Sequence, residues 1–179
     1  NRMTSAFDVK KSQWKLSWPG RVAQHDLVYL SPPEEPTQGI ALGNGDLGAL
    51  CWCEQSRLII ALNKCDLWDD AAFETFHNWS PREEEYSTTL RHAGRLNIDF
   101  KLPLFDIFYL RDFEARLSLA DATLRLQARS VFGTVHVEAC ILHDVSLLTL
   151  KIKKRLQQPA ALEITQERFG SRSFAHWYA

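Results

Sequence analysis

From Ala122 onward the chain alternates apolar and polar residues with a period of two. Ala122, Leu124, Leu126 and Ala128 alternate with Thr123, Arg125, Gln127 and Arg129. Val135, Val137, Ala139 and Ile141 then alternate with Thr134, His136, Glu138 and Cys140. Leu148, Leu150 and Ile152 follow, between Thr149, Lys151 and Lys153, and last come Leu162 and Ile164 with Glu163 and Thr165. A strand sends successive side chains to opposite faces, so this period means one buried and one wet face. Several such segments in succession, with turn regions at Leu119-Ala120-Asp121 and at Gly133, call for antiparallel sheets. The fold class expected is all-β, mainly antiparallel.

The first half is noisier. Strands are expected over residues 14–18, 26–30, 48–53, 57–62, 95–100 and 108–119. The run Ser31-Pro32-Pro33-Glu34-Glu35-Pro36 is a loop or sheet edge, because proline lacks the amide donor of a central strand. Asn44-Gly45, between Ile40-Ala41-Leu42 and Leu47, suits a hairpin of type I′, where both central residues take positive φ. One short helix is expected over residues 81–90: Ser80 caps it, Pro81 occupies its first position, and Glu83 completes the capping pattern. It lies in a long loop, residues 69–92, that interrupts the strand pattern and carries Phe73, Phe76, Trp79 and Tyr86.

With 179 residues, 45% of them hydrophobic, the chain has the material for one β-sandwich domain spanning residues 1–179. A net charge of −1, from 21 basic and 22 acidic residues evenly mixed, gives no attraction to nucleic acid or to an anionic membrane. No apolar run reaches the roughly 20 residues of a membrane helix. Residues 1–11 have no apolar segment of the signal-peptide kind, and the four cysteines are too sparse for a disulfide scaffold. These points favour a cytoplasmic location, with removal of a signal peptide left open. The aromatic ending Phe174-Ala175-His176-Trp177-Tyr178-Ala179 resembles the middle of a polypeptide, so a further domain is expected after it.

Reactive constellations are scarce. Cys51, Cys53, Cys65 and His77 invite a zinc reading, but Cys51 and Cys53 lie two apart in a strand, on one face, and not at knuckle spacing; no metal and no cofactor is expected. The six histidines make no one-turn helical pair, and there is no nucleophile elbow or phosphate-binding Walker loop. Gly43-Asn44-Gly45-Asp46-Leu47-Gly48 matches a dinucleotide fingerprint as text, yet strand continues after it where a helix N-terminus is required. Asp66, Asp69 and Asp70 flank Trp68, a grouping with sugar-binding chemistry: aromatic faces stack on sugar C–H faces and carboxylates accept hydroxyl hydrogen bonds. The plainer alternative is a packed tryptophan with solvated aspartates.

Two segments carry a resemblance. Gly39-Ile40-Ala41-Leu42-Gly43-Asn44-Gly45-Asp46-Leu47-Gly48-Ala49 resembles the strand–turn–strand near the start of family-95 glycoside hydrolases, the α-L-fucosidase family. Leu58-Ile59-Ile60-Ala61-Leu62-Asn63-Lys64-Cys65-Asp66-Leu67-Trp68 is similar to that family's next strand. Later stretches, residues 113–119, 133–138 and 147–150, look like its sheet meander, and family 65 shares the plan. Lys64-Cys65-Asp66 and Asp46 depart from the usual residues, which points to a relative and not to a typical fucosidase.

The resemblance implies a β-supersandwich followed by a catalytic (α/α)6 barrel beyond these residues. It implies no catalytic residue in this chain, which would be inactive alone. Its partners would be the C-terminal catalytic domain of the same polypeptide and an oligosaccharide. Asn44, Asp46, Asp66 and Trp68 would lie nearest the barrel, as substrate-rim residues. Two other functions compete: an independent carbohydrate-binding module with a platform drawn from Trp14, Trp18, Trp68, Trp79 or Trp177, and a structural sandwich with no sugar role.

Overall fold

The computed structural model describes residues 7–8, 11, 13–14, 18–69 and 89–168. In chain order its elements are β1 (Phe7–Asp8), β2 (Gln13–Trp14), α1 (Trp18–Val22), β3 (Leu27–Tyr29), β4 (Ile40–Gly43), β5 (Leu47–Glu54) and β6 (Arg57–Asp69). These are followed by β7 (Thr89–Asp99), β8 (Leu110–Ser118), β9 (Thr123–Ser130), β10 (Gly133–Ile141), β11 (Leu148–Leu156) and β12 (Glu163–Glu167). Strands β1 and β2 form a two-stranded ribbon, and the rest form two five-stranded sheets. The first sheet runs β11-β10-β9-β8-β3 and the second β12-β7-β6-β5-β4, with every pairing antiparallel. The protein is all-β, as the alternation requires.

Register follows from which residues can be buried. In the first sheet Val137 lies opposite Leu126 on β9 and Ile152 on β11, and Leu126 lies opposite Ala115 on β8. In the second, Cys51 faces Ile60, and Leu58 faces Ile98. These inward residues merge into one apolar cluster between the sheets. A slip of one residue would turn each set to the wrong face, so burial fixes the pairing. Each fully buried aliphatic side chain contributes about 1.5–3 kcal/mol. The loop between β7 and β8 closes one end of the core with Phe100, Leu104 and Phe105, all buried.

Gly133 opens β10 at φ 138°, and a Cβ there would press into the carbonyl oxygen of Arg155 on the neighbouring strand. Both facts demand glycine, which is why the turn expected at this point is sharp.

Several expectations change. Trp14 lies in β2, but Trp18 begins α1 and does not end a strand; residues 15–17 of the expected strand lie outside the described residues. Pro19 suits the first turn of a helix better than a strand interior. The short helix of the described residues is therefore α1, with 3-10 turns at Ala23–His25 and Pro36–Gln38. Residues 81–88 of the expected helix lie outside the described residues, and its last two, Thr89 and Leu90, open β7. The long interruption also shrinks: Asp69 ends β6 and β7 already includes His92. Register shifts between β6 and β7 on either side of Asn63 break the alternation there, which hides the strand extensions in the sequence.

Candidate functional site

The turn joining β4 to β5 differs from the type I′ expectation. Gly45 alone takes a positive φ, 94°, while Asn44 works through its side chain. Its Oδ1 accepts the backbone N–H groups of Asp46 at 3.0 Å and Leu47 at 2.8 Å. Its Nδ2 donates to the carbonyl oxygens of Leu142 at 2.8 Å and Val145 at 3.4 Å, in the loop joining β10 to β11. An asparagine side chain offers two acceptor and two donor positions. All are used inside the fold, so Asn44 ties a turn of the second sheet to a turn of the first.

Asp46 is the hub beside it. Its carboxylate accepts from the Ser146 hydroxyl, across 100 residues of chain, and from the Cys65 thiol at 3.2 Å. Lys64 Nζ stands 3.2 Å from the same carboxylate and also bonds the Asp66 carboxylate. The Cys65 N–H donates to the Asp46 carbonyl at 2.9 Å, which anchors β6 to the turn. Leu47 pairs with Lys64, so the two sequence motifs are adjacent strands whose polar residues gather at one end of the sandwich.

The electrostatics are those of a locked patch. The Cys65 thiol and then Lys64 hold the Asp46 carboxyl below the usual carboxylate range. Hydrogen bonds to Asp66 and Asp46 push Lys64 up. Donation to Asp46 pushes the Cys65 thiol up as well, which keeps it protonated at neutral pH. A thiol nucleophile requires its thiolate, and a general base works best with a pKa near the operating pH. Neither Cys65 nor Asp46 meets that condition. The patch is suited to recognition through hydroxyl or amide hydrogen bonds, with the Asp66 side chain 64% exposed and Asp46 42% exposed.

Of the expected rim residues, Asn44, Asp46 and Asp66 come together. Trp68 lies two residues past Asp66 on β6, opposite Leu90, and its side chain is outside the described residues. Lys64, Cys65 and Ser146 complete the group and were not among the expected rim residues. Lys64 and Cys65 were visible only as departures from a family pattern. Ser146 gave no signal, since nothing local links it to a turn 100 residues away.

The side chains of the five tryptophans proposed as a binding platform lie outside the described residues. Trp52 is buried and cannot serve as one. Cys51 and Cys53 line the core, where burial pushes the Cys51 thiol up to about 12 and Cys53 further in the same direction. Among the described residues no three His, Cys, Asp or Glu side chains group as metal ligands. No helix of the described residues is long and apolar enough to cross a membrane. No family model and no curated protein matches the chain.

Proposed function

We propose that this chain is the non-catalytic sandwich domain of a sugar-processing enzyme, packing on a catalytic domain and lending Asp66 and Asp46 to the rim of its substrate site. The reading is supported by one observation above the others. The two segments that resemble family-95 glycoside hydrolases, residues 39–49 and 58–68, are neighbouring strands. Their residues least suited to a strand, Asn44, Asp46, Lys64 and Asp66, are gathered at one exposed end and stiffened by bonds within the second sheet and, from Asn44 and Asp46, to the β10–β11 loop of the first. Preorganised carboxylates beside one ammonium suit hydroxyl-rich ligands. The depressed Asp46 and the protonated Cys65 fit a supporting role and not acid–base chemistry.

Two measurements test this. The 179-residue chain alone is expected to turn over no aryl glycoside. In the longer polypeptide, Asp66→Ala is expected to raise KM for the sugar substrate about tenfold, the worth of one charge-assisted hydrogen bond, at unchanged Tm. Turnover by the chain alone, or unchanged kinetics in the variant, would overturn the proposal.

A further inference from the structure

The opposite end of the sandwich is built differently. There the β5–β6 turn, Gln55 and Ser56, and the loop between β7 and β8 border a cleft of about 580 Å³. That volume lies within the range of ligand and peptide sites, about 300–1,000 Å³. Its walls are fixed. Phe100 N–H donates to the Ser56 carbonyl at 2.9 Å and Phe105 N–H to the Gln55 carbonyl at 2.8 Å. The Phe100 and Phe105 rings meet edge to face with centroids 5.7 Å apart.

The next turn is held equally firmly. The Asp106 carboxylate accepts the Phe108 N–H at 2.9 Å, and the Asp106 carbonyl accepts those of Tyr109 at 3.0 Å and Leu110 at 2.9 Å. The Tyr109 ring packs against Phe132 at 5.2 Å. On this braced backbone Ile107 is 68% exposed and Phe108 89% exposed. Two adjacent large apolar side chains are thus displayed to water by a turn with a braced backbone.

The charge around them is one-sided. Among the described residues Glu34, Glu54 and Asp106 line the cleft against one guanidinium, Arg57. Arg57 is already engaged by Glu54 at 3.2 Å, while the Glu34 carboxylate has no basic partner among the described residues. We propose that this cleft docks a protein segment carrying a large apolar side chain beside a lysine or arginine. The apolar residue would pack on Ile107 and Phe108, and the cation would meet Glu34 and Asp106. Rigid anchors at the centre of a contact lose little conformational freedom on binding, which is where interface energy concentrates. The negative sign of the walls repels the phosphates of nucleic acid and of anionic lipid. The proposal is independent of the sugar-enzyme reading, which concerns the other end.

The test is a titration of the isotopically labelled chain with the synthetic peptide acetyl-Lys-Leu-Lys-Phe-Lys-Leu-amide, followed by backbone amide shifts. Two control peptides replace its apolar residues by serine or its lysines by glutamate. Saturable shifts confined to Gln55, Ser56, Ile107 and Phe108, absent with both controls, are expected. Phe108→Ser and Glu34→Lys should each weaken binding about tenfold or more; Glu138→Gln, on the outer face of the first sheet, should leave it unchanged. The exposure of Phe108 makes its variant safe for folding, and retained amide dispersion checks this.

Four results would overturn the proposal. One is unsaturable shifts spread over the acidic surface, and another is equal binding of the serine control. A third is silence of the cleft amides with the lysine peptide. The fourth is a different occupant: concentration-dependent self-association abolished by Phe108→Ser would assign the cleft to a second copy of the chain, and cleft shifts with cellotetraose in place of peptide would assign it to a saccharide.

Discussion

The two sheets treat their outer faces in opposite ways. On the first sheet the outward side chains Arg125, Gln127, Arg129, His136 and Glu138 are exposed, and Glu138 reaches across to Lys151 on β11 at 3.0 Å. On the second sheet the outward side chains Trp52, Ile59 and Asn97 are buried, to 3%, 2% and 6% exposure, although they stand outside the core cluster between the sheets. The Trp52 indole donates to Glu54 at 3.3 Å and lies beneath the Arg95 guanidinium at 5.8 Å. One sheet therefore has a single apolar face and the other is apolar on both over much of its centre. A strand wet on one side must alternate, whereas a strand dry on both sides has no such requirement. The difference controls stability and the clarity of the sequence pattern together.

The sharpest way to break this comparison is a pair of outer-face truncations. Trp52→Ala should cost about 3–5 kcal/mol of unfolding free energy, as in a core. Gln127→Ala, at a corresponding outward position, should stay within about 0.5 kcal/mol. Denaturant unfolding of both variants measures this, and equal small effects would mean that the second sheet's outer face is not a packed surface. A smaller effect is expected where the two sheets are tied. Asn44→Ala removes a side chain that bonds both turns and should cost about 1–3 kcal/mol. If the Asn44 bonds hold the sheets together, hydrogen exchange in the β10–β11 loop and the β4–β5 turn should accelerate together. Acceleration in the β4–β5 turn alone would reduce Asn44 to a local turn residue.

The smallest effect concerns pH. Asp46, Asp121 and Glu138 are all held below their ordinary values, Asp121 to about 2 by its bond from Arg125. A carboxylate depressed in the folded state leaves the unfolded chain binding more protons at low pH. Its contribution is complete above the unfolded value near 4 and is lost as pH falls through the folded value. Tm should therefore be level from about pH 5 to 7 and decline toward pH 2. Asp121→Asn should flatten part of that decline, and a Tm that rises on acidification would contradict the sign.

Legibility in the sequence follows the same division. Strands β9 and β10 are readable almost to the residue because Leu124-Arg125-Leu126-Gln127 and Val135-His136-Val137-Glu138 record a wet face directly, whereas the ends of β8 and β11 are less sharp. In β6 the run Leu58-Ile59-Ile60-Ala61-Leu62 is unbroken because both Ile59 and Ile60 are buried, so periodicity marked a strand without its orientation. The far half of that strand was missed because the register shifts around Asn63 leave Lys64, Cys65 and Asp66 out of phase. At the candidate site, Asn44, Asp46 and Asp66 were found through the likeness of local segments. Their partners in the β10–β11 loop depend on how two distant hairpins meet, which no local pattern encodes. The Asn44-Gly45 turn was located correctly and its geometry was not, because a side-chain acceptor substituted for a second positive φ.

The four thiols sit at graded depth: Cys65 exposed, Cys140 intermediate, Cys51 and Cys53 deep in the second sheet. Alkylating reagents attack only a thiolate they can reach. The molecule thus carries its own clock for breathing motions: at alkaline pH, where Cys65 ionises, the surface sulfur can be modified while the fold is closed, and the inner pair only when β5 parts from its neighbours. Modification rates at the inner pair would time the opening of one layer without any added label.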